Sequence, residues 1–370
     1  MLRATLAQQR FDSLPSRPSA GSPLHFPSLD GIRAFSVILV FLAHAGLDAI
    51  VPGGIGVTIF FFLSGFLITS LMRVEFAKNG RVNIGHFWLR RILRIQPAFY
   101  FVLLAATIVT VLLSPPGSLA AGPLIAQSLQ VTNYWIIGHG YQDMALGTGV
   151  YWSLAVEEHF YLVFPWLYVG MQKAGMPPRR QAVLLWGLCG AVLVWRCLLV
   201  LYLHVPTERT YMATDTRVDS ILFGCALAVW RNPLLDPPAL GERTWRRLVL
   251  PGAMLIIAGC LVLRNEAFRE TLRYTLQGIA LTLVFVAAIR FKDWAIFRPL
   301  NSRPVEIFGV LSYSFYLLHY VAIFTVQKLL PQLGPFIDAC IALVLATACS
   351  YAIYRLVEQP CARLRRRLTD

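Results

Sequence analysis

Charged residues are scarce in this sequence. Of its 370 residues, 33 are lysine or arginine and 19 are aspartate or glutamate, which together make 14%, whereas 57% are hydrophobic. A soluble domain carries about 25% charged residues. The scarcity excludes an ordinary water-soluble fold, and the mean hydropathy of +0.61 indicates that most of the chain lies in lipid.

Cysteine pairs and a cleavable signal peptide are also missing. None of the seven cysteines forms a CxxC pattern, so we expect no disulfide framework, no structural zinc and no other bound metal. Residues 1–27 are rich in Pro, Ser and Arg without an apolar core, which predicts a disordered cytoplasmic tail. The net charge of +14 is spread over short loops, and we therefore expect no nucleic-acid partner.

Long apolar runs are abundant instead, and most approach the span of about 17–25 residues that crosses a bilayer. We predict ten transmembrane helices, at 32–49, 54–72, 95–113, 152–171, 182–203, 218–230, 248–263, 274–290, 305–330 and 335–357. The fold class is thus an all-α polytopic membrane protein. Its membrane domain covers 28–361, and a basic cytoplasmic tail covers 362–370.

The distribution of Lys and Arg predicts the orientation of these spans. Basic residues cluster in every second loop, which places both termini on the cytoplasmic side. We expect the membrane to be the inner (plasma) membrane. Six basic residues remain near the outer face: Arg209, Arg217, Arg264, Arg269, Arg273 and Lys328. A further apolar stretch, 122–137, lies between loops without Lys or Arg, so we predict a re-entrant or interfacial segment that lines a cavity.

Ionisable residues inside spans are costly and therefore indicate functional sites. Arg33 and His44 are eleven residues apart in the first span, so they share one helix face at about 16 Å along its axis. Glu157 and Glu158 follow the outer entrance of the fourth span, at a depth similar to that of His44. A carboxylate facing His44 would make it a general base. A hydrogen-bonded packing histidine and an ion-paired glutamate are the structural alternatives.

Other polar motifs allow both a functional and a structural interpretation. Arg90, Arg91 and Arg94 lie on one helical turn and suit phosphates, or they anchor the helix in the cytoplasm. Ser64 and Gly65 predict a close helix contact. The motifs TDTRVD and LSYSFYLLHY place three more polar side chains in or near the membrane: Arg217, Asp219 and His319.

Seven motifs in a fixed order carry a family resemblance over residues 27–361: LDGIRA with its arginine and later histidine, GGIGV with FFFLSGFLI, RRxxR, WSLAVEEHFY, TDTRVD, SYSFYLLHY and VEQP. The chain resembles the membrane-bound acyltransferases of the acyltransferase-3 group, which includes bacterial O-antigen and exopolysaccharide O-acetylases. It departs from many members at Thr58, His159 and Asp215, where they have Asp, Gln and His. We expect no appended periplasmic esterase-like domain.

The resemblance implies roles for individual residues. His44 would be catalytic, with Glu158 as its partner, and the acyl-CoA donor would contact Arg33, Arg91 and Arg94. The remaining polar residues of these motifs are assigned to the acceptor: Ser153, Glu157, Arg217, Asp219 and His319.

The resemblance also implies a reaction. No cofactor would be bound, and an acyl group, most simply acetyl from cytoplasmic acetyl-CoA, would pass to a hydroxyl of a cell-surface or lipid-linked glycan, with membrane lipids as further partners. Two other functions fit the same residues. One is acylation of a small hydrophobic molecule such as a macrolide, and the other is a proton-coupled transporter or flippase.

Overall fold

The computed structural model describes residues 26–369, so the predicted disordered tail lies outside the described residues except for Phe26 and Pro27. Between these bounds the chain is helical and contains no β-strand, which confirms the all-α fold class. The principal helices are α1 (Leu29–Leu42), α2 (Gly53–Asn79), α3 (Ile84–Leu113), α4 (Ala121–Ser128), α5 (Thr132–His139), α6 (Trp152–Lys173), α7 (Pro178–Leu201), α8 (Thr207–Met212), α9 (Thr214–Val229), α10 (Leu250–Val262), α11 (Leu272–Arg290), α12 (Arg303–Leu329), α13 (Pro335–Ile353) and α14 (Gln359–Thr369).

Among the described residues, eight helices are long and apolar enough to cross a membrane. The other two predicted spans correspond to α6 and α9. Helix α6 interrupts its apolar surface with Glu157, Glu158 and His159, and α9 has only 16 residues. Almost all of α9 is buried, because α2, α7 and α11 surround it. A short polar-containing helix is tolerated there because protein rather than lipid contacts it.

Helix α3 begins eleven residues before the predicted span, at Ile84. The side chain of Asn83 caps it by accepting a hydrogen bond from the backbone N–H of His86 at 3.0 Å. Thirty residues make a helix of about 45 Å, which is longer than the hydrocarbon core of about 30 Å. The arginine turn of RRxxR therefore extends α3 beyond the lipid.

The apolar stretch 122–137 forms two short helices, α4 and α5, instead of one. Each has eight residues and is about 12 Å long, too short to cross the hydrocarbon core. The polar residues that interrupt its pattern point into the protein: Gln127 donates to Thr148 Oγ1 at 2.6 Å, and Asn133 donates to Thr214 Oγ1 at 3.1 Å. A continuous spanning helix is excluded for this segment.

Helices α2 and α9 cross in backbone contact. A Cβ atom on Gly65 would lie 2.0 Å from the carbonyl oxygen of Ile221, and one on Gly224 would lie 2.0 Å from that of Phe62. The predicted close contact at Ser64 and Gly65 is therefore confirmed. Gly56 similarly allows α2 to approach the backbone of Ser36 on α1. These contacts fix α2 between α1 and α9, beside the two cavities described below.

Candidate active site

Two neighbouring cavities meet at Val57 and Tyr316, and the larger of the pair has a volume of about 900 Å³ and lies where α1 ends. Segments 48–57, 141–150 and 260–277 contribute to its wall. Six of its lining residues are Tyr or Trp: Tyr141, Trp152, Tyr211, Tyr274, Tyr316 and Tyr320. Burial raises the pKa of Tyr141, in a connecting loop, to about 12, so its hydroxyl stays neutral. Such a cavity suits a ligand with both apolar faces and hydroxyl groups.

His44 enters this cavity from a π turn, Ala43–Leu47, at the end of α1. Gly46 in the same turn has φ 96°, which ends the helix and reverses the chain. The Nδ1 atom of His44 lies 3.0 Å from Nε2 of His319 on α12. The His44 ring also stacks on Tyr320, with the ring centroids 4.4 Å apart. Wide turns of this kind are frequent at functional sites.

The hydrogen bonds assign the tautomers of both histidines. Nδ1 of His319 lies 2.7 Å from the backbone carbonyl of Tyr316, which only accepts, so this nitrogen carries the proton. His319 Nε2 therefore accepts a hydrogen bond from His44 Nδ1–H. The lone pair of His44 is thus on Nε2. His319 is fully buried and His44 is only partly buried, so His44 is the histidine that a substrate can reach.

The smaller cavity has a volume of about 130 Å³ and lies nearer the start of α1, at Arg33. Val57 and Tyr316 line both cavities, and Ser153 shares a hydrogen bond of 2.6 Å with the Tyr316 hydroxyl between them. The charged lining residues of the smaller cavity are Arg33, Arg91, Arg94, Glu157, Glu158 and Glu358. Arg33 and His44, which were predicted to share one helix face, therefore line two adjacent cavities.

The three predicted donor-contacting arginines meet in the smaller cavity. Arg33 forms an ion pair of 2.8 Å with Asp30. Arg91 lies over the rings of Phe87 and Tyr161, each centroid 5.8 Å away, and its Nε has no hydrogen-bond partner in the described part of the chain. Arg94 is exposed at the mouth. The structure therefore gathers three cations that could contact an anionic donor.

Arg90, on the same turn of α3, does not belong to this group. It forms an ion pair with Glu75 at 2.7 Å and does not line either cavity. Its side chain supports the loop between α2 and α3.

The expected pairing of Glu158 with His44 is not found, because the two residues line different cavities and His319 occupies the position beside His44. The depth of α6 explains the difference. Thr148, Val150 and Tyr151 before α6 are buried in the protein, and the Tyr151 hydroxyl donates to the carbonyl of Leu317 on α12. Helix α6 therefore starts below the bundle surface, and its second turn comes close to the arginines.

Glu157 is held by two hydrogen bonds in the smaller cavity. Ser64 Oγ donates to one carboxylate oxygen at 3.0 Å, and the Tyr161 hydroxyl donates to the other at 2.7 Å. Tyr161 also lies against Arg91. Glu157 thus links α2 and α6 beside the arginines, away from the cavity that contains His44.

Two residues that the sequence assigned to the acceptor, Asp219 and Arg217, are fully buried and line neither cavity. Asp219 forms a fully buried ion pair of 2.7 Å with Arg196 on α7 and does not line either cavity, so the structure gives it a structural role. Arg217 is also fully buried: it donates to the Tyr211 carbonyl at 2.9 Å and lies over the Tyr274 ring at 4.2 Å. It lies behind the aromatic wall of the larger cavity.

Three functional candidates were missed in the sequence. Glu358 belongs to the VEQP motif, which was noted without a role; it accepts a hydrogen bond from Ser314 and lines the smaller cavity. Tyr316 separates the cavities, and Tyr320 supports His44. Tyr316, His319 and Tyr320 occur at helical spacing in one motif, and that spacing is the signal that could have placed the tyrosines with the histidine. Over residues 26–369, no group of three or more His, Cys, Asp or Glu side chains is arranged to hold a metal ion.

Comparison with known proteins gives a consistent family. The chain is 31% identical over 360 residues to the peptidoglycan O-acetyltransferase OatA of Listeria monocytogenes, covering 93% of this chain and 57% of the relative. It is 30% identical over 353 residues to the O-acetyltransferase OatA of Staphylococcus aureus, covering 92% and 57%. The chain thus spans little more than half the length of these relatives. No solved structure matches. A family model described as an acyltransferase domain matches residues 26–355, and the chain therefore belongs to the acyltransferase-3 family of membrane proteins.

Proposed function

We propose that the chain is a membrane O-acetyltransferase that transfers acetyl from cytoplasmic acetyl-CoA to a hydroxyl of a cell-surface glycan. One observation carries the proposal: His44, with its basic Nε2 and its partner His319, lies in the larger cavity next to a second cavity lined by three arginines. The names of the relatives support O-acetylation, and that of the Listeria protein suggests peptidoglycan as the acceptor.

The smaller cavity suits one part of the donor. A volume of about 130 Å³ is too small for the nucleotide of CoA and holds only the narrow thioester end of its pantetheine arm. Carboxylates inside the cavity, including Glu157 and Glu158, offset the positive charge there. The CoA phosphates would therefore bind at the mouth, where Arg94 is exposed and can form charge-assisted hydrogen bonds. The acyl end would extend past Ser153 and Tyr316 toward His44.

His44 Nε2 supports two routes for the chemistry. As a general base it takes the proton of the acceptor hydroxyl while the oxygen attacks the thioester carbonyl; the C–S bond breaks, and the CoA thiolate takes up that proton. As a nucleophile it forms an N-acetyl bond as the C–S bond breaks and the CoA thiolate leaves; the acceptor hydroxyl then attacks the acetyl carbonyl, the N–acetyl bond breaks, and the hydroxyl proton goes to the thiolate. In both routes His319 Nε2 accepts from His44 Nδ1–H and stabilises the positive charge that develops on the ring.

The proposed orientation places the arginine-lined mouth in the cytoplasm and the larger cavity on the outer side of the plasma membrane, since Lys and Arg favour cytoplasmic loops. Acetyl-CoA is a cytoplasmic metabolite, and a surface glycan is on the opposite side. The two cavities on either side of Ser153 and Tyr316 match these two sources.

The test uses the purified full-length chain in proteoliposomes with [14C]acetyl-CoA and a saccharide acceptor. We expect release of CoA and acetyl label on the saccharide, both lost in His44→Ala and retained in the control His86→Ala, since His86 is exposed and outside both cavities. Movement of an unmodified substrate across the bilayer without CoA release would instead identify a transporter.

A further inference from the structure

Basic residues on the outer side of a membrane protein are not explained by the rule that places positive charge in the cytoplasm. The sequence predicts six such residues, and the structure separates them by surroundings. Arg209 is neutralised by Asp215 at 2.5 Å, and Arg217 is buried behind the aromatic wall. Three others, Arg264, Arg269 and Arg273, line the larger cavity. Three of the six basic residues predicted on the outer side thus line the larger cavity, the candidate acceptor site.

Two of these arginines are available to a ligand. Arg264 follows α10 and is exposed, with one long hydrogen bond of 3.4 Å to the Ala49 carbonyl. Arg269 lies in the short helix Glu266–Glu270 and is exposed; within residues 26–369 its guanidinium has no ion pair or hydrogen bond. An exposed guanidinium without a partner presents its full set of donors to the cavity.

The third arginine is already neutralised. Arg273 lies 3.5 Å from the Glu270 carboxylate and donates to the Tyr274 hydroxyl at 2.9 Å. Glu270 also accepts from Thr210 Oγ1 at 2.7 Å. The charges of Arg273 and Glu270 therefore cancel within the cavity wall. Arg273 also contacts Arg269, whose backbone carbonyl accepts a hydrogen bond from Arg273 Nε at 3.0 Å.

The remaining charge of the cavity is positive. Arg264 and Arg269 face one further lining carboxylate, Asp48. Arg217 adds a buried cation behind the wall; its Nε has no hydrogen-bond partner, and no carboxylate forms an ion pair with it in the described part of the chain. Thr58, which contacts this guanidinium at 3.2 Å, carries no charge. Cavity walls of low dielectric concentrate such a field.

We infer that the larger cavity recognises an oxyanion, either a carboxylate or a phosphate, on the acceptor, and that Arg264 and Arg269 bind it. This inference rests on the proposed function for the identity of the ligand as acceptor, and it adds the chemical class. The aromatic wall would hold the sugar rings, and the anion at the arginines would leave a hydroxyl of the sugar for His44, which lines the same cavity. Bidentate guanidinium–oxyanion hydrogen bonds supply both affinity and orientation.

The test measures binding, which needs no acetyl-CoA. Calorimetry on the purified full-length chain compares glucose, glucuronic acid and glucose 1-phosphate, three sugars that differ mainly in charge. We expect the two anions to bind more tightly than glucose, and their affinities to fall with added salt. Arg264→Gln and Arg269→Gln should each lower anion affinity about tenfold and leave glucose binding unchanged, because each removes charge-assisted hydrogen bonds.

The matched control is Arg247→Gln, an exposed arginine in the π turn Trp245–Val249 at the opposite end of α10. It should bind all three sugars like the wild type. A preference for glucuronic acid identifies a carboxylate of the glycan, and a preference for glucose 1-phosphate identifies the phosphate of a lipid-linked sugar. Equal affinities for all three sugars, or anion binding unaffected by both arginine variants, overturns the inference.

Failure of this inference is distinct from failure of the proposed function. Selective anion binding that depends on Arg264 and Arg269, without any acetyl transfer, upholds the anion site and rejects the acetyltransferase. Acetyl transfer at equal rates to charged and neutral sugars, in wild type and Arg269→Gln alike, upholds the acetyltransferase and rejects the anion site.

Discussion

His44 and His319 lie 275 residues apart in the chain, and a single hydrogen bond of 3.0 Å joins their rings. The carbonyl of Tyr316 fixes the proton on the far side of His319. The whole arrangement is uncharged while His44 Nε2 keeps its lone pair, which suits a site with hydrophobic walls because an ionised partner would be costly to bury. The pair is therefore a neutral counterpart of a histidine oriented by a carboxylate.

The first prediction separates the two histidines. His44→Ala should reduce acetyl transfer by at least about 10²-fold, because it removes the group that meets the substrate. His319→Gln should cost less than His319→Leu, since a glutamine oxygen can still accept from His44 Nδ1–H. Rates are measured in proteoliposomes at equal protein content. Activity near wild type in His44→Ala would reject this centre, and identical losses for Gln and Leu at 319 would reject the orienting hydrogen bond.

The second prediction concerns the arginine turn of α3. Lysine keeps the charge but loses bidentate geometry, so Arg91→Lys and Arg94→Lys should raise the KM for acetyl-CoA several-fold. Arg90→Lys is the matched control from the same turn, because Arg90 pairs with Glu75 outside both cavities. Initial rates at varied acetyl-CoA give the three KM values. If all three variants have the same KM for acetyl-CoA, the turn anchors the helix and does not bind the donor.

The third prediction tests the buried ion pair of Asp219 and Arg196. Asp219→Asn leaves the Arg196 charge uncompensated in the protein interior, which should cost about 3–5 kcal/mol of folding stability. The expected result is a lower Tm in detergent and a smaller folded fraction after size-exclusion chromatography. Asp219→Leu combined with Arg196→Met should recover much of the loss.

The same variants decide whether Asp219 also contacts the acceptor. Its position predicts that the folded fraction of Asp219→Asn keeps the wild-type KM for the acceptor, since Asp219 lines neither cavity. A stable Asp219→Asn protein with a raised acceptor KM would restore the assignment of this residue to substrate.

The fourth prediction concerns the crossing of α2 and α9. Gly65→Ala and Gly224→Ala each place a methyl group 2.0 Å from a backbone carbonyl oxygen, so the helices must separate, at about 1–3 kcal/mol. Gly187→Ala is the control, because a Cβ there has no atom within 4 Å. Thermal unfolding in detergent should show a lower Tm for the first two variants only. Equal Tm values for all three would mean that α9 can move without cost.

The sequence predicted the helices well because lipid imposes one simple rule, a long apolar run for each span. It predicted a helical turn at Arg90–Arg94 before the third span but not the start of α3 at Ile84, where the side chain of Asn83 caps the helix outside the apolar run. It also misplaced the partner of His44. The expected depth of Glu158 depends on α6 starting at the membrane surface, whereas the preceding residues are buried against α12.

The sequence indicated several of the polar residues that line the two cavities, but it did not indicate how they are arranged in space. The family resemblance assigned Arg33, Arg91 and Arg94 to the donor, and the structure places all three in the wall of the smaller cavity, while donor binding itself stays a prediction. The division into two cavities depends on how Ser153 and Tyr316 meet across α6 and α12, and no periodicity within one helix reports contacts between helices. The ion pair of Asp219 was not foreseen for a related reason, because its partner Arg196 lies on α7 in an otherwise apolar run.

If the proposed function holds, the hydrogen bond between Ser153 and Tyr316 has a consequence for the cell as well as for catalysis. An enzyme that takes its donor from one side of a membrane and its acceptor from the other needs access from both sides, and an open water-filled passage would let protons and ions equilibrate. Ser153, Val57 and Tyr316 lie between the two cavities and interrupt such a passage. Small side-chain movements at this partition would admit an acyl chain while the energised membrane keeps its ion gradients.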